Sequence, residues 1–113
     1  MKKIIFIFIL NLCLFLFFES SNIYAKSFIA GAGGEPCGSI INYEKNRVGK
    51  DTMYWVYIHW MLGYISGSNY QSQSMKGSNT DGESIYFAAI KFCKNNPLKR
   101  LGDAIKYIYK NQL

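Results

Sequence analysis

Residues 53–67, MYWVYIHWMLGYISG, decide the fold, because they are apolar on nearly every side of a helix and for about four of its turns. Such a segment is a helix buried centrally or seated against a partner, since a helix on the surface of a domain needs only one apolar stripe. Asp51 or Thr52 stands just before it and can accept the free N–H groups of its first turn, so the pattern predicts a helix from there to about Tyr70. Within it, Gly63 and Gly67 form a small-x-x-x-small pair, a spacing that lets another helix approach closely and that in a small domain points to packing within the core. Tyr54, Trp55, Tyr57, Trp60 and Tyr64 are more aromatics than a small core hides. Part of this set is therefore expected on an exposed apolar patch or a self-association surface.

Outward from this segment the pattern stays helical. A short first helix begins after Cys37, carries Ile40, Ile41 and the run 43–48, and stops at Gly49. On the other side, residues 66–79 shift to Ser, Asn, Gln and Gly, the composition of an exposed loop. Thr80-Asp81-Gly82-Glu83 then reads as a capping box, with the Thr80 hydroxyl and the Glu83 carboxylate each satisfying a terminal N–H. The helix it opens runs to Lys94 or Asn95 and places Ile85, Ala88 or Ala89, Phe92 and Cys93 on one face. Asn96-Pro97 ends it and starts a fourth, in which Leu98, Leu101, Ile105 and Ile108 form the buried stripe. No strand alternation competes. The expectation is an all-α single domain over 37–113, of three to four short helices, preceded by a flexible Gly-rich arm at 26–36. The glycines of that arm lack the Gly-Lys-Ser/Thr of a phosphate loop.

The chain opens with MKKIIFIFILNLCLFLFFESSNIYA, residues 1–25, which has the anatomy of a secretory signal: Lys2 and Lys3, an apolar core from Ile4 to Phe18, and a small residue at Ala25. Cleavage after Ala25 is expected. The apolar core falls short of the ~20 residues that span a bilayer, so no stable membrane anchor should remain after cleavage. Cys13 lies inside the core behind Leu12, unlike a lipoprotein cysteine, and leaves with the signal. The protein is then periplasmic or secreted, 88 of its 113 residues long, with Cys37 and Cys93 as its remaining cysteines. An oxidising compartment favours a bridge between them, and closing so long a loop removes on the order of 4 kcal/mol of unfolded-state freedom.

Loss of Lys2, Lys3 and Glu19 leaves eleven basic and six acidic residues, a net charge of +5. The basic residues are dispersed, and no block of them interleaves with aromatics, so nucleic acid is not an expected partner. His59, the single histidine, sits in Ile58-His59-Trp60 with no nucleophile, second ligand or positioned carboxylate at a recognisable spacing. It reads as a packed or interface residue whose protonation would place a charge in an apolar helix. Asp81 and Glu83 are accounted for by capping, while Glu44, Asp51 and Asp103 are scattered. Neither an enzyme, a metal site nor a cofactor is expected, and the composition points to a protein partner: an unfolded client, a second copy of the chain, or a toxin.

Cys37, Trp60-Met61-Leu62-Gly63-Tyr64-Ile65-Ser66-Gly67, a polar loop, Phe92-Cys93-Lys94-Asn95-Asn96-Pro97 and a final helix containing Ala104 resemble, in this order, the HdeA/HdeB group of small periplasmic proteins. That resemblance covers residues 37–108 and implies an all-helical fold, a Cys37–Cys93 bridge between the first and third helices, and an acid-stress chaperone that dimerises at neutral pH and exposes apolar surface in acid. The dimer or client surface would then lie on the helix of residues 54–64. The glycine-rich arm and the long Ser/Asn/Gln loop depart from the pattern. The same Leu-Gly-Tyr-Ile-x-Gly string also resembles the Tai/Rap immunity proteins, which neutralise secreted peptidoglycan amidases. Those chains carry additional cysteines that this one lacks. Under that resemblance the 66–79 loop would enter an effector's cleft.

Overall fold

In a computed structural model, which describes Met1 and residues 29–113, the chain folds into a turn of 3-10 helix, Gly31–Gly34, and four α-helices. These are α1 (Cys37–Asn46), α2 (Thr52–Ser72), α3 (Gly82–Asn95) and α4 (Leu101–Asn111). The expected signal falls almost wholly on residues 2–28, outside the described residues. The described part is an all-α single domain with no strand, and one isolated antiparallel bridge pairs Pro36 with Arg100. None of its helices is long and apolar enough to cross a membrane.

Helix α3 is the hub, packing against α1, α2 and α4. Its Ile85, Tyr86, Ala89, Ile90 and Cys93 are buried at the spacing of one helical face. On α4 the stripe is Leu101, Ala104, Ile105 and Ile108, all at most 1 % exposed. Cys93 is bonded to Cys37 at the start of α1, with both sulfurs sealed in the core, so the bridge ties the first helix to the third. Beside it the Cys37 N–H donates to the Lys99 carbonyl at 2.8 Å and the Leu101 N–H to the Glu35 carbonyl at 3.0 Å. These two backbone bonds fix the chain on either side of Pro36.

Four expectations are corrected here. The stretch 66–79, expected as an exposed loop, is helical over its first half: α2 runs to Ser72, two residues past its expected end near Tyr70, where Gln73 turns left-handed at φ 52° and closes it. Ile65, the last buried residue of the helix, lies immediately before the composition changes, and the polar turns that follow are tied through Asn69 and Ser72 to the Tyr109 hydroxyl of α4 rather than by burial. The cap of α3 is Asp81, whose carboxylate accepts the Ser84 N–H at 2.7 Å, so the Thr80/Glu83 box does not form. Pro97 does not start α4, and Leu98, expected in the core, is 98 % exposed. Arg100 is instead the N-cap, and its N–H is taken by the Asp103 carboxylate at 3.0 Å.

The fourth correction concerns the glycine-rich arm, which is folded onto the domain over residues 31–36. The 3-10 turn packs on α2 and α4. Trp60 donates its indole N–H to the Ala30 carbonyl at 3.1 Å, and its ring lies flush on Gly33, where an added Cβ would fall 2.1 Å from the ring carbon Cζ2. Glycine is present for close approach, not for flexibility. Gly33→Val should therefore push the strap off Trp60 and destabilise by roughly 1–3 kcal/mol, the range of overpacking. A red-shifted Trp60 emission together with a lower urea midpoint would show it; an unchanged midpoint would mean the strap contributes nothing.

Candidate functional site

The structure divides the aromatic set of α2 into two groups. Tyr54 and Tyr57, expected on a binding surface, are core residues at 1 % and 4 % exposure. Trp60 and Tyr64 are half-buried, the first under the strap and the second edge-on to Tyr109, with ring centroids 6.4 Å apart. Of the five, Trp55 stays exposed. It belongs to an outer face of α2 that includes Met53, Val56, His59, Gly63, Gly67 and Tyr70. Gly63 and Gly67 do not mediate close packing within the domain as expected, because a Cβ added at either would meet nothing within 4 Å. The close approach in this region is at Gly82, where a Cβ would fall 2.7 Å from Ile58 Cγ2. Helix α2 thus buries one face on Tyr54, Tyr57, Ile58, Met61 and Ile65 and presents a second apolar face to solvent. That doubling is why its sequence looks apolar all round.

At the N-terminal end of α2, side chains from α1, α2 and α3 form a polar clasp. Arg47 holds Glu44 in a bidentate pair, Nε to Oε2 at 2.5 Å and Nη2 to Oε1 at 3.0 Å. The Tyr86 hydroxyl donates to the same Glu44 Oε2 at 2.6 Å, which links α1 to α3. The Arg47 guanidinium lies 4.7 Å from the Tyr54 ring centroid, a cation–π contact over a buried aromatic. Tyr54 in turn donates its hydroxyl to Glu83 Oε1 at 3.1 Å, and Lys50 forms an ion pair with Glu83. Asp51 caps α2 by accepting the Tyr54 N–H at 3.0 Å and also accepts the Tyr43 hydroxyl.

The carboxylates of the clasp are all held below their ordinary range. Arg47 is the main cause for Glu44, the Tyr43 hydroxyl for Asp51 and Lys50 for Glu83. Asp81 is lowered by the Ser84 N–H it accepts. On the phenol side, burial pushes Tyr43 up to about 12, helped by Asp51, and raises Tyr86 further, helped by Glu44. The arrangement keeps protons on the phenols and off the carboxylates. Sequence reasoning took Glu44 and Asp51 as scattered and Glu83 as a cap. The i, i+3 spacing of Glu44 and Arg47 was a usable signal for one pair, whereas the Tyr86–Glu44 and Tyr54–Glu83 bonds join residues that only the fold brings together.

A second arrangement forms at the far end of α2, where Tyr109 of α4 gathers the connecting loop. Its hydroxyl lies within 3.0 Å of Ser72 Oγ, Ser74 Oγ and Asn69 Oδ1, and its carbonyl accepts Lys76 Nζ at 2.8 Å. The loop is therefore pinned, with Met75 held 81 % exposed on it and Tyr70 90 % exposed on the last turn of α2 before it. Tyr109→Phe should leave the helices intact, cost about 1 kcal/mol for the lost hydrogen bonds, and speed amide exchange in the loop. Unchanged exchange at Ser74 and Lys76 would show that Tyr109 does not hold it.

Among the described residues no group of three or more His, Cys, Asp or Glu side chains is placed to hold a metal ion. Comparison with protein-family models, with curated proteins and with solved structures finds no match to this chain.

Proposed function

We propose that this chain is an exported protein-binding module of the acid-responsive, chaperone-like kind to which its motifs bear a resemblance. The observation that carries the reading is the clasp: carboxylates hold the start of α2 over the buried rings of Tyr54 and Tyr86, next to the exposed apolar face of the same helix. In acid these carboxylates take up protons, the ties to Tyr43, Tyr54, Tyr86, Arg47 and Lys50 weaken, and the net charge of the mature chain climbs from +5 toward +12 as six acids are neutralised and His59 is charged. Self-repulsion and loss of the clasp then act together, and Tyr54 and Tyr86 add to the apolar surface already displayed by Trp55 and Val56. Unfolded clients, or a second copy at neutral pH, are the partners this surface suits.

Light scattering of an aggregating client at about pH 2.5, where most carboxylates are protonated, tests it. Stoichiometric protein should suppress the aggregation, and Trp55→Ser with Val56→Ser should suppress it less. Scattering that stays the same with and without the protein rejects the proposal, even if the protein itself survives acid.

A second reading, an immunity protein for a secreted amidase, is favoured by the pinned loop. A loop anchored by Tyr109 that displays Met75, next to Tyr70 on the last turn of α2, has its ordering entropy already met, as an inhibitory element requires. It predicts tight neutral-pH binding to one effector, lost in Tyr70→Ser with Met75→Ser, and no general protection of clients. Full inhibition by that double variant would remove the loop from consideration.

A further inference from the structure

A groove of about 740 Å³ runs between α3 and α4, away from both the clasp and the outer face of α2. Phe92 and Tyr107 form one wall, their ring centroids 5.3 Å apart and their planes tilted by 39°, with Tyr107 46 % exposed. Lys91 and Lys99 stand on its rim, and the amides of Asn95, Asn96 and Gln112 complete it. No carboxylate lines it, and among the described residues neither lysine forms an ion pair. Lys99 is fixed by its backbone, which accepts from Cys37 and donates to the Asn96 carbonyl at 3.0 Å. Asn96 spends its amide N–H on the Phe92 carbonyl and its own backbone N–H on the Cys93 carbonyl, so the end of α3 is capped and its negative pole reduced.

We propose that this groove binds an anionic saccharide, a short run of sugar rings carrying carboxylates. A sugar has an apolar C–H face that lies on an aromatic ring and a rim of hydroxyls that both donate and accept, which is what side-chain amides do. The two lysines supply the charge-assisted hydrogen bonds for the acid groups. Lys91, Asn95, Lys99 and Tyr107 on its lining are exposed to solvent, which suits a hydrated ligand better than an apolar one that must be enclosed. Its volume is ample for two or three sugar rings rather than a single small ion.

Titration calorimetry of the purified protein with tri-galacturonate, maltotriose and inorganic phosphate tests the proposal. Tri-galacturonate should bind saturably, and neutral maltotriose of equal length should bind about tenfold or more weakly, the change expected when charge-assisted hydrogen bonds are lost. Lys91→Gln with Lys99→Gln, both on the surface, should produce the same loss for tri-galacturonate. Tyr107→Ala should weaken both sugars, with the helical circular dichroism of each variant unchanged as the control on folding. Equal affinity for the two sugars, phosphate binding as tightly as tri-galacturonate, no saturable binding of tri-galacturonate, or variants that bind like the parent would each overturn it.

Discussion

Replacing Cys37 and Cys93 together by alanine should lower the free energy of unfolding by roughly 4 kcal/mol, the loop-closure value for a bridge spanning this length of chain. The span is 56 residues and the bridge encloses α1, α2 and nearly all of α3, so without it most of the domain's contacts must form against the entropy of an open chain. Small domains hold only about 5–15 kcal/mol in reserve, and this one has few residues with which to build a core. The double variant should therefore show a urea midpoint lowered by about half or should be partly unfolded at 37 °C. Both sulfurs are 0 % exposed, so neither Cys37 nor Cys93 should react as a thiol until the protein is unfolded with reductant present. Two titratable thiols in the native protein, or a variant as stable as the parent, would take away the covalent basis of the architecture.

What could be read from the sequence was what depends on neighbours in the chain. The period of Leu101, Ile105 and Ile108 marked the buried stripe of α4, and Asp51 marked the start of α2, because both effects act within one turn. The Cys37–Cys93 pairing followed from the compartment expected for the chain and from the two cysteines expected to remain in it. Close approach between distant segments was not. Gly33 looked like a flexible residue because its reason, the Trp60 ring against it, comes from 27 positions away. Gly63 and Gly67 carried the spacing of a close contact, yet in the structure they line a face that nothing covers within the domain.

The aromatic helix shows the same limit on the functional side. Its sequence announced too many aromatics for one core, and Trp55 is indeed left outside, yet the period alone did not separate it from Tyr54 and Tyr57. When both faces of a helix are apolar, the stripe that faces inward is chosen by the neighbouring helices. Here Tyr86 at 4.8 Å from Tyr54 and Tyr43 at 5.4 Å from Tyr57, ring centroid to centroid, make that choice. The clasp was hidden for a related reason: single carboxylates look scattered until α1 and α3 bring Glu44 and Glu83 to the same end of α2.

Lowering the pH should destabilise the protein, and most of the loss should trace to that clasp. Glu44, Asp51, Asp81 and Glu83 all have folded-state pKa values below their ordinary ones, for the causes given above. In the acid range the unfolded chain therefore binds more protons than the folded one, so stability is fully present above the ordinary carboxylate pKa of about 4 and is lost as pH falls through the depressed folded values. The opposite limb belongs to Tyr43 and Tyr86, whose raised values keep stability intact below about pH 10 and surrender it as pH climbs beyond. Urea unfolding followed from neutral pH to about pH 2 should show a steep decline setting in below about pH 4. Glu44→Gln keeps the shape of the side chain but removes the charge that Arg47 and Tyr86 bind. It should lower stability at neutral pH by on the order of 1 kcal/mol, the value of a solvent-screened ion pair with its hydrogen bonds, and flatten the acid limb so that parent and variant converge near pH 2. Parallel curves for the two proteins would place the acid sensitivity elsewhere in the fold and leave the clasp as a neutral-pH contact only. Convergence accompanied by binding of a hydrophobic dye over the same pH interval would link protonation of Glu44 to exposure of the rings beneath it.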